Sequence, residues 1–202
     1  MGRPPIYEDE DAMNRAQHTF GEPIPMVVKK IFPTLNEMIQ EFVRASPFAV
    51  LSTADAQGNC DASPKGGRPG FVKVLDEKRL LLPDVAGNKL FQSYENLETN
   101  PRAALLFFIP GCDWSVRVNG RASVVEKSDG RLSGIAPEVF ARDENTKILQ
   151  GLLIEVDEAY AQCPRAFTFS KLWDTDAISA ARAGDANRHW LERWKVSMAG
   201  RM

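Results

Sequence analysis

The sequence predicts a mainly β protein with peripheral helices, in which six or seven strands run as an antiparallel meander and close, or nearly close, into a barrel. Three observations carry this. Between Pro47 and Glu126, apolar runs of strand length alternate with loops holding Gly, Asn and Lys. Trp114, Val116 and Val118 alternate with Ser115, Arg117 and Asn119, the two-residue period of a half-buried strand. The flanks show helical spacing instead.

Residues 1–25 hold Pro4, Pro5, Pro23 and Pro25 around a helix-compatible piece, Asp11 to Thr19. We take residues 1–33 as an N-terminal arm, resting on the body or fraying as a tail, and 34–202 as the folded domain with a C-terminal helical extension. Thr34-Leu-Asn-Glu37 matches a capping box. Leu35, Met38, Ile39, Phe42 and Val43 then recur on one helical face, and Pro47 ends the helix.

Phe48–Thr53 reads as a buried strand, residues 54–59 as a turn, and Cys60–Ser63 as the returning strand, which Pro64 ends. Lys65–Gly70 reads as a loop, and Phe71–Leu75 and Arg79–Leu82 as a hairpin about Asp76–Lys78. Pro83–Asn88 is expected to be a loop and Lys89–Leu97 a short helix, stopped by Asn100-Pro101. Arg102–Ile109 is a strongly apolar strand. The next strand starts near Trp114, with a bulge at Gly120. Ser128–Leu149 is expected to form short helices, Gly151–Asp157 a strand, and residues 185–198 a closing helix.

Composition narrows the function. Hydrophobic residues make up 44% and charged residues 26%, which fits a globular core. A net charge of -2 offers no overall field for nucleic acid or an anionic membrane. Cys60, Cys112 and Cys163 are odd in number and lack a Cys-x-x-Cys pair, so they outline neither a disulfide framework nor a zinc site. The acidic N-terminus is unlike a signal peptide, and no apolar run reaches the ~20 residues that cross a bilayer. A soluble, cytoplasmic protein is expected.

No metal is expected, because His18 and His189 stand near opposite ends of the chain without ligand spacing. Ser63, Lys65 and Gly66 lie at a strand end interrupted by Pro64. Gly87-Asn88-Lys89 precedes a predicted helix, whose N-terminus would favour an anion. By spacing alone ordinary turns with solvated lysines are the favoured reading over a phosphate site, because short Gly/Lys loops are weak signals. Arg117 is a cation within an apolar strand, to be paired with Asp61, with Asp84 or with a ligand. Trp114 and Trp173 read as core or interface residues or as stacking partners for a planar ring.

Asn100-Pro-Arg-Ala-Ala-Leu-Leu-Phe-Phe108, followed by Val116-Arg-Val-Asn-Gly-Arg121, resembles the central strands of the pyridoxamine 5'-phosphate oxidase-like flavoproteins. Leu81-Leu-Pro-Asp-Val-Ala-Gly-Asn-Lys89 stands where that family has its phosphate loop. Cys163-Pro-Arg-Ala-Phe167 and Ser170-Lys-Leu-Trp-Asp174 are similar to an uncharacterised branch of probable FMN-dependent enzymes.

The resemblance implies a split β-barrel homodimer with FMN at the subunit interface. Asn88 and Lys89 would then bind the FMN phosphate, while Ser63, Pro64, Lys65 and Gly66 would follow the ribityl chain or phosphate. Leu82, Pro83 and Asp84 would run beside the ring, and Ser115 would face the cofactor from the partner subunit. The activity implied is that of an FMN-dependent oxidoreductase on a small molecule, with Lys65 and Arg68 as candidates for polarising it. The alternatives are a flavin-binding or storage protein, or a relative holding deazaflavin or haem. Haem is disfavoured by the placement of the histidines. Three departures speak against pyridoxamine 5'-phosphate oxidation itself. Asn88 stands where the family has arginine, Ser115 where it has glutamine, and the C-terminal Arg-x-His is missing.

Overall fold

A computed structural model describes residues 15–87, 89–144 and 146–199. The chain divides into two compact units. The larger holds the described residues up to Ile109 together with Ser115–Gln162. The smaller holds Pro110–Trp114 and the described residues from Cys163 onward.

The larger unit is one seven-stranded sheet with β1 Phe48–Ala54, β2 Cys60–Gly66, β3 Lys73–Val74, β4 Arg79–Val85, β5 Arg102–Phe108, β6 Ser115–Glu126 and β7 Ile148–Gln162. All pairings are antiparallel, in the order β2-β1-β5-β6-β7-β4-β3. The sheet curls on itself. Lys65 on β2, at one edge, lies 3.7 Å from Asp84 on β4, near the other. The fold is therefore a split barrel, as the sequence predicts.

The inner face follows from strand alternation. Ala49, Leu51, Leu80, Leu105, Phe107, Val116, Val118, Leu152 and Ile154 are buried in one continuous core. Two short helices, α1 Arg15–Phe20 and α2 Pro25–Lys29, come first in the described chain. The helix expected from Asp11 to Thr19 lies partly outside the described residues. Helix α3, Glu37–Ala45, joins the core through Ile39 and Val43. Its cap is Asn36 rather than Thr34: the Asn36 side-chain oxygen accepts from the Ile39 N–H at 3.0 Å. Leu35 is buried just ahead of the cap, and Met38 on the predicted apolar face is exposed instead.

The end of the arm is tied down. Phe32 exchanges two backbone hydrogen bonds with Ala159 of β7, at 3.0 and 2.8 Å.

Several boundaries differ from the sequence expectation. β2 runs through Pro64 to Gly66, because it is an edge strand with neighbours on one side only. β4 runs through Pro83 to Val85, because β3 pairs only as far as Leu81 and leaves that side of β4 open. Helix α4 spans Gln92–Thr99 and not Lys89–Leu97, since Lys89 and Phe91 have left-handed backbone, φ 60 and 53. β7 is twice the expected length, 15 residues, because pairing with β6 overrides the charges at Asp157 and Glu158. In place of short helices, the described part of Ser128–Leu149 holds a 3-10 turn, Gly130–Leu132. It sinks Leu132 into a second cluster with Leu81, Val125, Ile148 and Leu153.

The smaller unit carries α5 Arg165–Ser170, α6 Thr175–Ala183 and α7 Ala186–Ala199. Trp173 stacks on Phe167, with centroids 6.1 Å apart and planes at 13°. Asp174 caps α6 at the Ala177 N–H, 2.8 Å.

The predicted bulge is present: the β6–β7 register shifts between Asn119 and Gly120. A Cβ at Gly120 would lie 2.1 Å from the Glu155 carbonyl oxygen, so the position admits only glycine without backbone movement. Gly120→Ala is expected to destabilise the fold by about 1–3 kcal/mol, the range for overpacking, measured as a lowered midpoint in urea denaturation. An unchanged midpoint would show that the ladder relaxes around the bulge.

Candidate functional site: a cleft along the split of the barrel

The split opens as a cleft with two adjoining lobes. The larger, about 380 Å³, is lined by Ser63–Gly66 of β2, Leu82–Val85 of β4, Phe71, Gly87 and the loop Ala136–Glu138. The smaller, about 220 Å³, lies among Asp61–Lys65, Asp84, Val85, Gly87, Lys89 and the start of α4. Ser63, Pro64, Lys65, Asp84, Val85 and Gly87 line both.

Register explains the convergence. Ser63 pairs with Leu51 and Lys65 with Ala49, both core residues, so these two side chains share the inner face of the sheet. Asp84 sits where the β4–β7 register shifts, an irregularity that re-aims a side chain. The Lys65 and Asp84 side chains are 23% and 13% exposed, so their ion pair is shielded but loose.

α4 is fastened beside the smaller lobe. Ser93 donates to Asp61 at 2.5 Å and Asn96 to Thr53 at 3.0 Å. The Tyr94 and Glu95 N–H groups donate to the Phe91 carbonyl, at 2.9 and 3.0 Å, whereas those of Gln92 and Ser93 precede any intrahelical acceptor, and both residues line the lobe with Lys89. Tyr94 of the same turn lies beside Asp84 and Gln150. Burial first, and then the Asp84 carboxylate, push its hydroxyl well above the ordinary tyrosine pKa, against a hydrogen bond with Gln150. The cleft therefore offers two cations, Lys65 and Lys89, three carboxylates, Asp61, Asp84 and Glu138, one neutral phenol and an apolar wall of Phe71, Leu82, Pro83 and Pro137.

Of the residues singled out in the sequence, Ser63, Pro64, Lys65, Gly66, Leu82, Pro83 and Asp84 meet around the larger lobe, and Lys89 lines the smaller. Asn88 lies outside the described residues. Ser115 does not line either lobe. It begins β6, 4% exposed, opposite Phe108 and Gln162. Arg68 is turned away, with its guanidinium over the Phe140 ring at 5.5 Å. Arg117 pairs with neither Asp61 nor Asp84. Among the described residues no group of three or more potential metal ligands occurs, and no helix is long and apolar enough to cross a membrane.

Sequence reasoning missed the Ala136–Glu138 wall and Tyr94. One signal for the wall was present in Gly66-Gly67. A Cβ at Gly67 would lie 2.2 Å from the Glu138 carbonyl oxygen, so that glycine is where the wall's backbone approaches. Two further bonds hold the wall: the Arg68 N–H donates to the Glu138 carbonyl at 2.8 Å, and Lys73 Nζ meets the Glu138 carboxylate at 3.3 Å.

The model of the family described as pyridoxamine 5'-phosphate oxidase matches residues 35–163. The chain belongs to the pyridoxamine 5'-phosphate oxidase family. The matched stretch runs from α3 to the end of β7, so every element lining the cleft falls inside it. The C-terminal helices of the smaller unit fall outside.

A search of curated proteins found no match. Solved structures that are similar to this family member include HupZ from Group A Streptococcus, 16% identical, covering 61% of this chain and 90% of that one, TM-score 0.46. An FMN-binding protein from Syntrophomonas wolfei is 13% identical, covering 63% and 88%, TM-score 0.44. HutZ, the heme storage protein of Vibrio cholerae, is 19% identical, covering 61% and 89%, TM-score 0.41. With TM-scores below 0.5, these likenesses add nothing to the family assignment, which rests on the family model.

The Tyr94 environment has a pH signature. Its hydroxyl stays protonated in the fold where the unfolded chain's tyrosine, at 10.0, ionises. The stability this gives is present below about pH 10 and is lost as pH rises above it. Denaturant titrations from about pH 8 to about pH 11 are expected to show a shallower alkaline fall in Tyr94→Phe than in the parent. At neutral pH the variant is expected to lose ~1 kcal/mol with its hydrogen bonds. Parallel alkaline limbs would remove Tyr94 as the titrating group.

Proposed function

We propose that this protein binds FMN in the two-lobed cleft and acts as an FMN-dependent oxidoreductase on a small molecule. The observation that carries the reading is the convergence of Lys65, Lys89 and the first turn of α4 around the smaller lobe, beside a larger lobe with an apolar wall. In this reading the smaller lobe takes the phosphate and the larger one the flat ring.

In this reading Lys89, Asn88 and the N–H groups opening α4 hold the phosphate. A helix N-terminus carries positive partial charge, and Lys89 adds a full one. Ser63, Pro64, Lys65 and Gly66 follow the ribityl chain. Lys65 faces the ligand on one side and Asp84 on the other, so the carboxylate helps direct the lysine into the cleft. Leu82, Pro83 and Asp84 border the ring, and Ser115 reaches it from the partner subunit. When bound, FMN would supply hydride acceptance and donation, while the chain supplies position, hydrogen bonds and exclusion of water.

The homodimer in this reading uses the outer face of the sheet. Phe48, Val50, Leu106 and Phe108 stand together there by register, and Phe48 is 38% exposed with its ring 5.9 Å from that of Phe108. A cytoplasmic setting agrees with three unpaired cysteines.

Purified protein is expected to be yellow and to release FMN on denaturation. Lys89→Ala is expected to weaken FMN binding by ~1–3 kcal/mol, the scale of a lost charge-assisted hydrogen bond, measured by fluorescence titration. Affinity equal to that of the parent would take Lys89 out of the site. Anaerobic reduction by nicotinamide nucleotides separates an enzyme from a flavin store. A monomer in solution scattering would contradict the dimer.

A further inference from the structure

Outside the cleft, two cations share one aromatic ring, and among the described residues neither closes an ion pair. Arg117 lies on β6 between Val116 and Val118, both 0% exposed, so its own side chain takes the opposite, outer face. Three hydrogen bonds and a ring contact, all to neutral groups, fix the guanidinium. Nη1 donates to the Tyr160 hydroxyl at 3.1 Å. With the Gln162 amide turned so that its oxygen faces the guanidinium, that oxygen accepts from Nη2 at 2.8 Å and from Nε at 3.0 Å. The guanidinium also lies over the Tyr160 ring, 5.7 Å from its centroid.

Lys30 lies over the same ring, with Nζ 5.6 Å from the centroid. It is delivered there by the Phe32–Ala159 bridge, which pins the end of the arm to β7 next to Tyr160. Among the described residues, neither cation forms an ion pair. Of the neighbouring acids on β7, Asp157 is paired with a cation, whereas Glu158 keeps its charge one ladder pair from Arg117 on the same face. Glu158 accepts from Asn119 at 2.6 Å, and Asp157 accepts from Arg102.

A half-buried guanidinium without a carboxylate is costly to keep. The ring and the amide orient it but leave its charge in place. Arginine has five N–H donors in a planar fork; the bonds above use three of them, and the rest remain for a planar or tetrahedral oxyanion. Lys30 adds a second positive charge beside the same ring, which favours an anion there.

We infer that Arg117, Lys30, Tyr160 and Gln162 form a binding site for a small oxyanion, a carboxylate or a phosphate, on the outer face of the sheet. Ser115 lies two residues earlier on the same face. Resting on the reading that Ser115 faces the partner's flavin, the site stands beside that flavin and makes the substrate an organic anion.

The test is isothermal titration of the full-length protein with inorganic phosphate, with and without FMN, in parallel with solution scattering. Phosphate is expected to bind, and to bind about tenfold more weakly in Arg117→Gln. Lys30→Gln, outside the sheet ladder, is expected to weaken it severalfold and guards against misfolding of the first variant. Lys89→Ala is expected to keep the Arg117-dependent binding, which separates this site from the cleft.

No phosphate binding by the parent, or equal affinity in both charge variants, overturns the inference. So does a dimer that dissociates in Arg117→Gln while the parent binds no phosphate, because Arg117 then answers an acid of the second copy. Arg117-dependent phosphate binding in a protein that takes no FMN keeps the anion site and removes the flavin reading. FMN binding without any phosphate site does the reverse.

Discussion

The ladder between β6 and β7 is the constraint on which the rest of the larger unit depends. These are its longest strands, 12 and 15 residues. Every other strand joins the sheet through them: β5, β1 and β2 hang from β6, and β4 and β3 hang from β7. The cleft needs β2 and β4 to face each other, and they belong to opposite halves. The curl of the sheet, in which β6 and β7 are the central pair, brings them together. The bulge at Asn119/Gly120 adds local twist to that pair, and it leaves a position where no side chain fits. Lys65 and Asp84 then meet because the backbone has already closed the distance. A loose ion pair of this kind contributes little to closing the barrel.

Strands with alternating apolar residues were legible, because alternation is a direct image of a sheet with one face in the core. The first half of β6 shows it; β1 and β5 were legible instead as short, nearly continuous apolar runs bounded by turns. β7 was legible only in its apolar centre. Its C-terminal half carries Asp157, Glu158 and Tyr160 on positions whose partners, Arg102, Asn119 and Arg117, come from other strands. A single sequence does not reveal that such charges will be satisfied across a ladder. The cap at Asn36 was hidden by a competing pattern two residues earlier. The stretch after Glu126 misled for a different reason: its order comes from one buried leucine, Leu132, and from backbone docking of Glu138 onto Gly67 and Arg68.

The candidate site was legible in part. Ser63, Lys65 and Asp84 were named from two separate stretches, and the fold puts them at one cleft. Lys89 was assigned to a helix start. It lies three residues before the helix, in left-handed backbone, yet still lines the smaller lobe. Arg117 was open among two carboxylates and a ligand. Strand parity removes both carboxylates. Asp61 and Asp84 line the cleft, whereas Arg117 shares a face with Leu106 and Tyr160.

The same parity bears on how many chains one flavin would need. Lys65 pairs with Ala49, a core residue, and so projects toward the cleft. Ser115 pairs with Phe108, which pairs across β5 and β1 with Phe48, a residue of the outer face. Residues paired in a ladder share a face, and neighbours along a strand do not. Lys65 and Ser115 of one chain therefore stand on opposite sides of a single sheet, with the core between them. A ligand touching both kinds of residue, as the proposed reading has it, would have to draw them from two copies. In that arrangement the outer-face phenylalanines and the unpaired charge of Arg117 come to lie beside the other copy's cleft. The apolar contact and the cationic site would then be two parts of one interface.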